Sequence, residues 1–402
     1  MVAHPGHLLV AYQSVCSLQE AGLLRSFETG FYFKEAAFPR HLPARVLREL
    51  RRRTHSGLDE KKVNLHPAAE LLHLFFARNA FLKRWSARML RLRNELFDAQ
   101  MGRLVEKRKP AAFIGYDSSS LLTFRRARRT DTLCILDQVV GHIASGNKIL
   151  AKEKVLHPEF ADTLPDLEDE WISNRCHEEA LLADRVLAPS EYVRGTLVEN
   201  GISPSKIYIC PYGVDTARFF PKAREEVRPF RILFVGQLSQ RKGIKYLLEA
   251  FKGLALENAE LVLMGRVAGS GRGLQAYSGL FRHVAHVPYS ELPQYYQSAD
   301  IFVYPSLHEG SALAIYEALA SGLPVITTHN SGSVVRDGVE GFIVPVRNVG
   351  ALKEKMLLLY LDKELRQRMG GQARMRAEEY TWESYQRRLS KLMHHFISEK
   401  KS

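Results

Sequence analysis

The stretch SLHEGSALAIYEALASGLPVIT, residues 306–327, completes an apolar run, ADIFVYPS (299–306), and overlaps a second, LPVITT (323–328). Strands covered on both faces of a parallel sheet read as continuous apolar runs, so both segments are expected to be buried parallel strands. Glu309 then falls just beyond the carboxyl end of the first. Ser311 is expected to cap a helix built from ALAIYEALA (312–320), which Gly322 stops before Pro324 opens the next strand. Glu317 lies within that helix. In open α/β sheets ligands sit in the crevice beyond the carboxyl ends of the strands, so Glu309 points at such a crevice and Glu317 is placed to line it. Simple solvation is the competing reading for any helical glutamate.

The chain has 402 residues, more than one core usually organises, and is expected to form two domains. No apolar run is long enough to span a bilayer, and the opening MVAHPGHLLVAYQ lacks a basic start and a cleavage site, so a cytoplasmic protein is expected. Cys16, Cys134, Cys176 and Cys210 are scattered, which fits free thiols and offers no zinc-ligand spacing. Of the net charge of +13, +12 falls in residues 1–150, where 25 Lys and Arg face 13 Asp and Glu. The excess gathers in RHLPARVLRELRRR (40–53), FLKRWSARMLRLRNELF (81–97), VEKRKP (105–110) and RRARR (125–129). The second places Phe81, Leu82, Trp85, Met89, Leu92 and Leu96 at helical spacing among five cations. That pattern suits either a basic amphipathic helix on an anionic membrane or a core-facing helix with a solvated face. The clustering favours a peripheral position on the inner face of the membrane. Nucleic acid is not expected, because no helix-turn-helix, zinc-finger or aromatic RNA-binding motif accompanies the charge.

Along the chain, MVAHPG, RSFETGFYF, AAFIGYD, TLCILD, DRVLAPS and KIYICPYGVD read as strands of a first domain (1–218), interrupted by a mostly helical basic insertion at about 38–108. TARFFPKAREEVRPF (216–230) reads as linker. A second domain (219–380) follows with RILFVGQLSQRKG, AELVLMGR, the opening stretch and GFIVPV. Residues 381–402 read as a last helix, placed to pack back toward the first domain. The loop GQLSQRKG (236–243) carries a second chemical signal. Gly236 leaves backbone accessible, and Arg241 and Lys242 stand near a helix start, whose free amides and dipole attract anions. The loop is neither a Walker loop nor a dinucleotide fingerprint, and a plain surface Arg-Lys turn is the alternative.

VGQLSQRKG (235–243), ADIFVYPSLHEGSALAIYEALASGLPVI (299–326) and VEGFIVP (339–345), in this order, resemble the donor half of retaining glycosyltransferases of the GT-B fold, family 4. The resemblance covers about residues 184–395, including ADRVLAPSEYVRGTL (183–197) and PYGVDTARFFP (211–221). It implies two Rossmann-like doubly wound α/β domains facing across a cleft, and transfer of a sugar from a nucleotide diphosphate sugar to a polysaccharide, lipid-linked or other envelope acceptor. It also implies that Glu317 holds the ribose and Glu309 the transferred sugar, as the catalytic carboxylate. Arg241 and Lys242 would neutralise the diphosphate, with Gly236, Gly310, Ser311, Ala312 and Leu313 completing the donor site. No metal or other cofactor is implied; the nucleotide sugar is a co-substrate.

Three departures stand out. Gly236-Gln237 replaces a common Gly-Arg, and Gly310-Ser311-Ala312 a common Gly-Phe-Gly. Many members place a histidine after the strand resembling TLCILD, where this chain has Asp137, with His142 nearby. Asp137 is the catalytic candidate on that side, and His4, Gly6, Asp117 and His142 are acceptor-side candidates. A non-catalytic nucleotide-sugar-binding protein and a nucleotide-sugar epimerase of the same fold are the rival functions.

Overall fold

The computed structural model describes residues 1–33, 54, 55, 57–78, 85–165, 169–222, 228–285 and 287–401. Two all-parallel sheets organise it. The first joins β1 (Val2–His4), β2 (Phe27–Thr29), β3 (Val63–Leu65), β4 (Ala112–Tyr116), β5 (Leu133–Asp137), β6 (Arg185–Ala188) and β7 (Ile207–Ile209) in the order β3-β2-β1-β4-β5-β6-β7. The second joins β8 (Phe230–Val235), β9 (Ala259–Met264), β10 (Phe281–Val284), β11 (Ile301–Tyr304), β12 (Val325–Thr328) and β13 (Gly341–Val344) in the order β10-β9-β8-β11-β12-β13. Both are doubly wound, which is the GT-B arrangement. Central strands β4, β5, β11 and β12 are buried at every residue, as helices on both faces require.

Strand order reverses between β1 and β4 and again between β8 and β11, and the chain leaves a crevice at such switch points. β11 pairs with β8 through Ile301↔Ile232 and Phe302↔Leu233, so the loops after Val235 and Tyr304 emerge side by side. In the first sheet Tyr116 pairs with Asp137, bringing the ends of β4 and β5 together.

One local expectation fails, and two short edge strands go unannounced by the sequence. The mostly helical insertion contains edge strand β3, while the Pro67–Arg78 and Ser86–Arg108 helices account for much of the rest. Residues 40–53 and 81–84 lie outside the described residues. β10 was not evident in the sequence, because its FRHV register leaves Arg282 and His283 exposed at a sheet edge. Ser311 does not cap the Leu313–Ala320 helix: Ala312 occupies the cap position, and the Ser311 hydroxyl contacts Tyr316 Oη at 2.9 Å and donates to the Gly332 carbonyl at 2.8 Å.

The chain passes between the two lobes twice, at neighbouring points. Val214 bridges Thr381, and the Val214 amide donates to the Tyr380 carbonyl at 3.0 Å. The Trp382–Lys401 helix then lies on the Leu9–Glu20 helix of the first domain. There Ser14 Oγ meets Tyr385 Oη at 2.7 Å, and Ser17 Oγ donates to the Gln386 carbonyl at 2.7 Å.

Candidate active site

The second-domain half of the site is built where β8 and β11 end. After Val235 the chain turns through Gly236 into a single 3-10 turn, Gln240–Lys242, and Gly243 then opens the Ile244–Lys252 helix at φ 73°. A side chain at Gly243 would lie 2.1 Å from the Pro305 carbonyl oxygen, so only glycine lets this loop rest against the loop after β11. That contact sets Arg241 and Lys242 facing Glu309. Arg241 Nη1 donates to Glu309 Oε1 at 2.7 Å and to the His308 carbonyl at 2.8 Å, and Lys242 Nζ is ion-paired with the same carboxylate oxygen. The Ser306 hydroxyl adds a longer bond of 3.3 Å.

All three charged groups are largely out of water. Burial alone would push the Glu309 carboxyl up, but the ammonium of Lys242 and the guanidinium of Arg241 outweigh it and hold the group below the usual carboxylate range. Burial brings the Lys242 ammonium down to about 8 despite Glu309. Two cations therefore share one carboxylate, an excess of positive charge at the crevice that favours a further anion. The Leu313–Ala320 helix starts beside it. The Ala312 amide is already given to the Ser331 carbonyl at 3.1 Å, which removes it from the expected phosphate-binding set, and leaves Leu313 and Ala314 carrying the first amides of the helix.

Glu317, one turn further along, accepts from Tyr296 Oη at 2.7 Å and Tyr289 Oη at 3.3 Å. Burial raises its carboxyl to about 7 in spite of those bonds. Tyr304, at the end of β11, has its hydroxyl pKa pushed up by burial and by the charges of both Glu309 and Glu317, and its ring lies 5.2 Å from Lys242 Nζ. The structure thus gathers Arg241, Lys242, Glu309 and Leu313, with Glu317 on the neighbouring turn.

A cavity of about 640 Å³ lies between the domains, and Arg241, Glu309, Gly310, Ser311 and Leu313 form its second-domain wall. Asp117 and Ser118, past the end of β4, and Val139 to Gly141, past β5, form part of the opposite wall. Asp137 sits just beneath: burial, reinforced by Asp117, raises its carboxyl to about 7, and burial raises Asp117 to about 6. His142 lies off the wall, its Nε2 3.2 Å from His177 Nδ1, and burial with the neighbouring imidazole lowers it to about 4. His4 and Gly6 also lie off the wall; His4 Nδ1 is engaged within its own turn, 2.9 Å from the Gly6 carbonyl oxygen and 3.2 Å from the Gly6 amide nitrogen, donating to the first or accepting from the second according to its tautomer. A hollow of about 970 Å³ elsewhere on the second domain shares none of these residues, and its arginines are already engaged, Arg228 with Asp300 and Arg374 with the carbonyls of Thr216, Phe219 and Ala320.

Several residues that position the site carry no motif signal. His308 Nδ1 is hydrogen-bonded to Tyr192 Oη at 2.7 Å, and burial together with Arg241 keeps its imidazole neutral, down at about 4. The Ser190 hydroxyl donates to the Gly310 carbonyl at 2.6 Å, and the Gly141 amide to the Glu309 carbonyl at 3.3 Å. Glu153, fully buried in the first domain, accepts from Gln240 Nε2 at 2.8 Å, from Tyr246 Oη and from Arg347, all of the second. The lobes are therefore held closed over the cavity. Only adjacency to Glu309, for His308, and membership of the SEYVRG segment, for Ser190 and Tyr192, offered a hint in the sequence.

Residues 215–376, which contain the whole cationic crevice, match the family described as Glycosyl transferases group 1. This part of the chain is a group 1 glycosyltransferase domain. A D-inositol 3-phosphate glycosyltransferase of Paenarthrobacter aurescens (strain TC1) is 30% identical over 223 residues, 50% of this chain and 55% of that protein. The chain spans about half the length of curated relatives such as this one. Sucrose-phosphate synthase from Thermosynechococcus elongatus shares the fold over 99% of this chain and 98% of its own, with a TM-score of 0.69 at 18% identity. Anabaena HepE, solved with UDP and glucose, does so over 98% of each chain with a TM-score of 0.61 at 12% identity. The group 1 domain is thus joined to a first domain that completes a GT-B molecule. Among the described residues no helix is long and apolar enough to cross a membrane.

Proposed function

We propose that the protein is a retaining family 4 glycosyltransferase that moves a sugar from a nucleotide diphosphate sugar to an envelope acceptor. The carrying observation is the cluster of Arg241, Lys242 and Glu309 at the β8/β11 switch point, beside the start of the Leu313–Ala320 helix. Glu309 engages both cations. An arriving diphosphate competes for them, and the carboxylate it displaces becomes an acceptor for sugar hydroxyls. Glu317, freed from its tyrosines, accepts from the ribose. As the glycosidic bond breaks, negative charge gathers on the leaving diphosphate, and cations fixed in a poorly solvated crevice stabilise it more than water does. This reading routes no step through a metal, because Arg241, Lys242 and the helix amides supply the charge.

Retention follows from front-face attack: the acceptor hydroxyl approaches on the leaving-group side and passes its proton to the departing phosphate oxygen. Asp117, on the first-domain wall, is placed to hold that hydroxyl, with Asp137 behind it. The UDP and glucose of the HepE structure and the basic first half of this chain support a nucleotide-sugar donor and an acceptor presented at the inner face of an anionic membrane. A panel of nucleotide sugars screened by thermal shift, followed by donor-consumption assays, tests the reading, since a bound donor raises the melting temperature. A panel in which no donor shifts the melt and none is consumed would sink it.

A further inference from the structure

The first-domain wall of the central cavity is mostly apolar, supplied by Leu8, Val10, Leu90, Ile143 and Ile172. A glycan lying there would bury hydroxyls against hydrocarbon, at a cost wherever they lack partners. Next to it is a second hollow of about 710 Å³, walled by Phe76, Trp85, Met89, Leu92 and Trp171. The two hollows share Arg91. Helix geometry explains the juxtaposition. Ala87, Leu90 and Asn94 stand on one face of the Ser86–Arg108 helix and Met89 and Leu92 on another, with Arg91 between. Ile172 and Trp171 divide in the same way at the start of the Glu170–Leu182 helix.

Two further features point to what lies along this path. Phe76 belongs to the Pro67–Arg78 helix, whose Leu71, Leu72 and Phe75 are 51%, 43% and 59% exposed, so the aromatic hollow adjoins an apolar surface. The junction carries two cations, Arg88 and Arg91, and two carboxylates, Glu95 on the hollow's wall and Asp169. Arg88 lies 5.7 Å over the Trp85 ring, and Arg91 pairs with Asp169, a half-exposed pair worth little in stability. Asp169 keeps its bond from the Ile172 amide, at 3.0 Å, when Arg91 turns away, so a stronger anion can take the guanidinium without orphaning the carboxylate.

We propose that the acceptor is a membrane lipid bearing a phosphate-type anion: its chain lies in the Phe76–Trp85–Trp171 hollow, its anion at Arg91, and its reacting end in the central cavity opposite Glu309. This rests on the glycosyltransferase reading and narrows its acceptor. Bilayer lipid is the occupant favoured by the adjoining exposed apolar helix and the basic first half, and by continuity with the central cavity.

The protein reports on itself, because two of its three tryptophans, Trp85 and Trp171, wall the hollow, while Trp382 packs on Tyr385 at the far helix. Titrating the full chain with dodecyl phosphate below its micelle concentration should give a saturable change in tryptophan fluorescence. Dodecanol should bind at least tenfold more weakly and inorganic phosphate should give no change. Arg91→Ala should weaken dodecyl phosphate at least tenfold while leaving nucleotide-sugar melting shifts unchanged. Trp171→Ala should weaken it too, and Trp171→Phe should restore it. Dodecanol binding as tightly as dodecyl phosphate, or an unaltered Arg91→Ala titration, overturns the inference. Nucleotide sugars that shift the melt of a protein indifferent to dodecyl phosphate overturn it while sparing the function. Arg91-dependent dodecyl phosphate binding without any donor binding supports the lipid site and overturns the transferase reading instead.

Discussion

Gly310 offers the sharpest test of the closed arrangement. A Cβ built there lies 1.7 Å from the Val139 carbonyl oxygen, 2.8 Å from the carbonyl carbon and 3.1 Å from Val140 Cα, all backbone atoms of the opposite lobe. No side-chain rotation relieves such an overlap. Reaching the 3.0–3.4 Å of a tight real contact requires the lobes to part by about 1.5 Å at this point. Gly310→Ala therefore lengthens the Ser190–Gly310 and Gly141–Glu309 bonds beyond use, yet leaves Arg241, Lys242 and Glu317 undisturbed within the second domain. Misplacing reacting groups by about 1 Å costs roughly 100-fold in rate, or about 2.7 kcal/mol of barrier. Expected are a turnover lowered about 100-fold, a donor affinity within about threefold of the parent, and a small rise in radius of gyration by solution scattering. Gly195→Ala, whose Cβ meets nothing within 4 Å, is the control and should change none of these. Turnover within twofold of the parent, in a Gly310→Ala protein that melts normally, would refute the reasoning. So would a donor affinity that falls as far as turnover.

Glu317 predicts a pH effect. Its folded carboxyl, raised to about 7, holds a proton between pH 4.5 and 7 that the unfolded chain has lost, so its contribution to stability falls as pH rises through that window. The loss is bounded at about 3 kcal/mol; Glu317→Gln should flatten this part of a melting-temperature profile and weaken nucleotide-sugar binding by calorimetry. Glu309→Gln strips Lys242 and Arg241 of their shared counter-ion, and breaking a buried pair from one side costs about 3 kcal/mol. The donor-free variant should melt lower, and added UDP should raise its melting temperature by more than it does in the parent. Glu153→Ala leaves Gln240, Tyr246 and Arg347 without a shared acceptor, and calorimetry should then resolve two separate domain transitions where the parent shows one.

Much of the second domain could be read directly from its residues. IFVY and VITT are buried at every position, so their apolar runs reported their place in the sheet, and the spacing of Glu309 from Glu317 followed from a strand end and a helix. Edge strands were harder. VNL and FRHV are three and four residues long, and each has polar residues among its few positions, Asn64 in one and Arg282 and His283 in the other, leaving no continuous apolar run and too few positions for a period. The Ser311 expectation failed because capping depends on where the hydroxyl turns, and here Tyr316 and the Gly332 carbonyl hold it. Glu153 and Gln240 are 87 positions apart, and nothing local to either announces the other. First-domain chemistry stayed illegible for a similar reason: whether Asp137 faces the cleft or lies under it depends on how the lobes meet.

The two chain passages at Val214 and Thr381 have a mechanical consequence. Because both crossings run side by side and the bridge between them ties one to the other, the lobes are joined along a single short edge, like a book along its spine. Opening to admit a donor is then a swing about that edge rather than a sliding apart. The last helix, riding on the Leu9–Glu20 helix, keeps the second passage taut. Trimming it would leave each lobe's own sheet intact while letting the covers twist against each other.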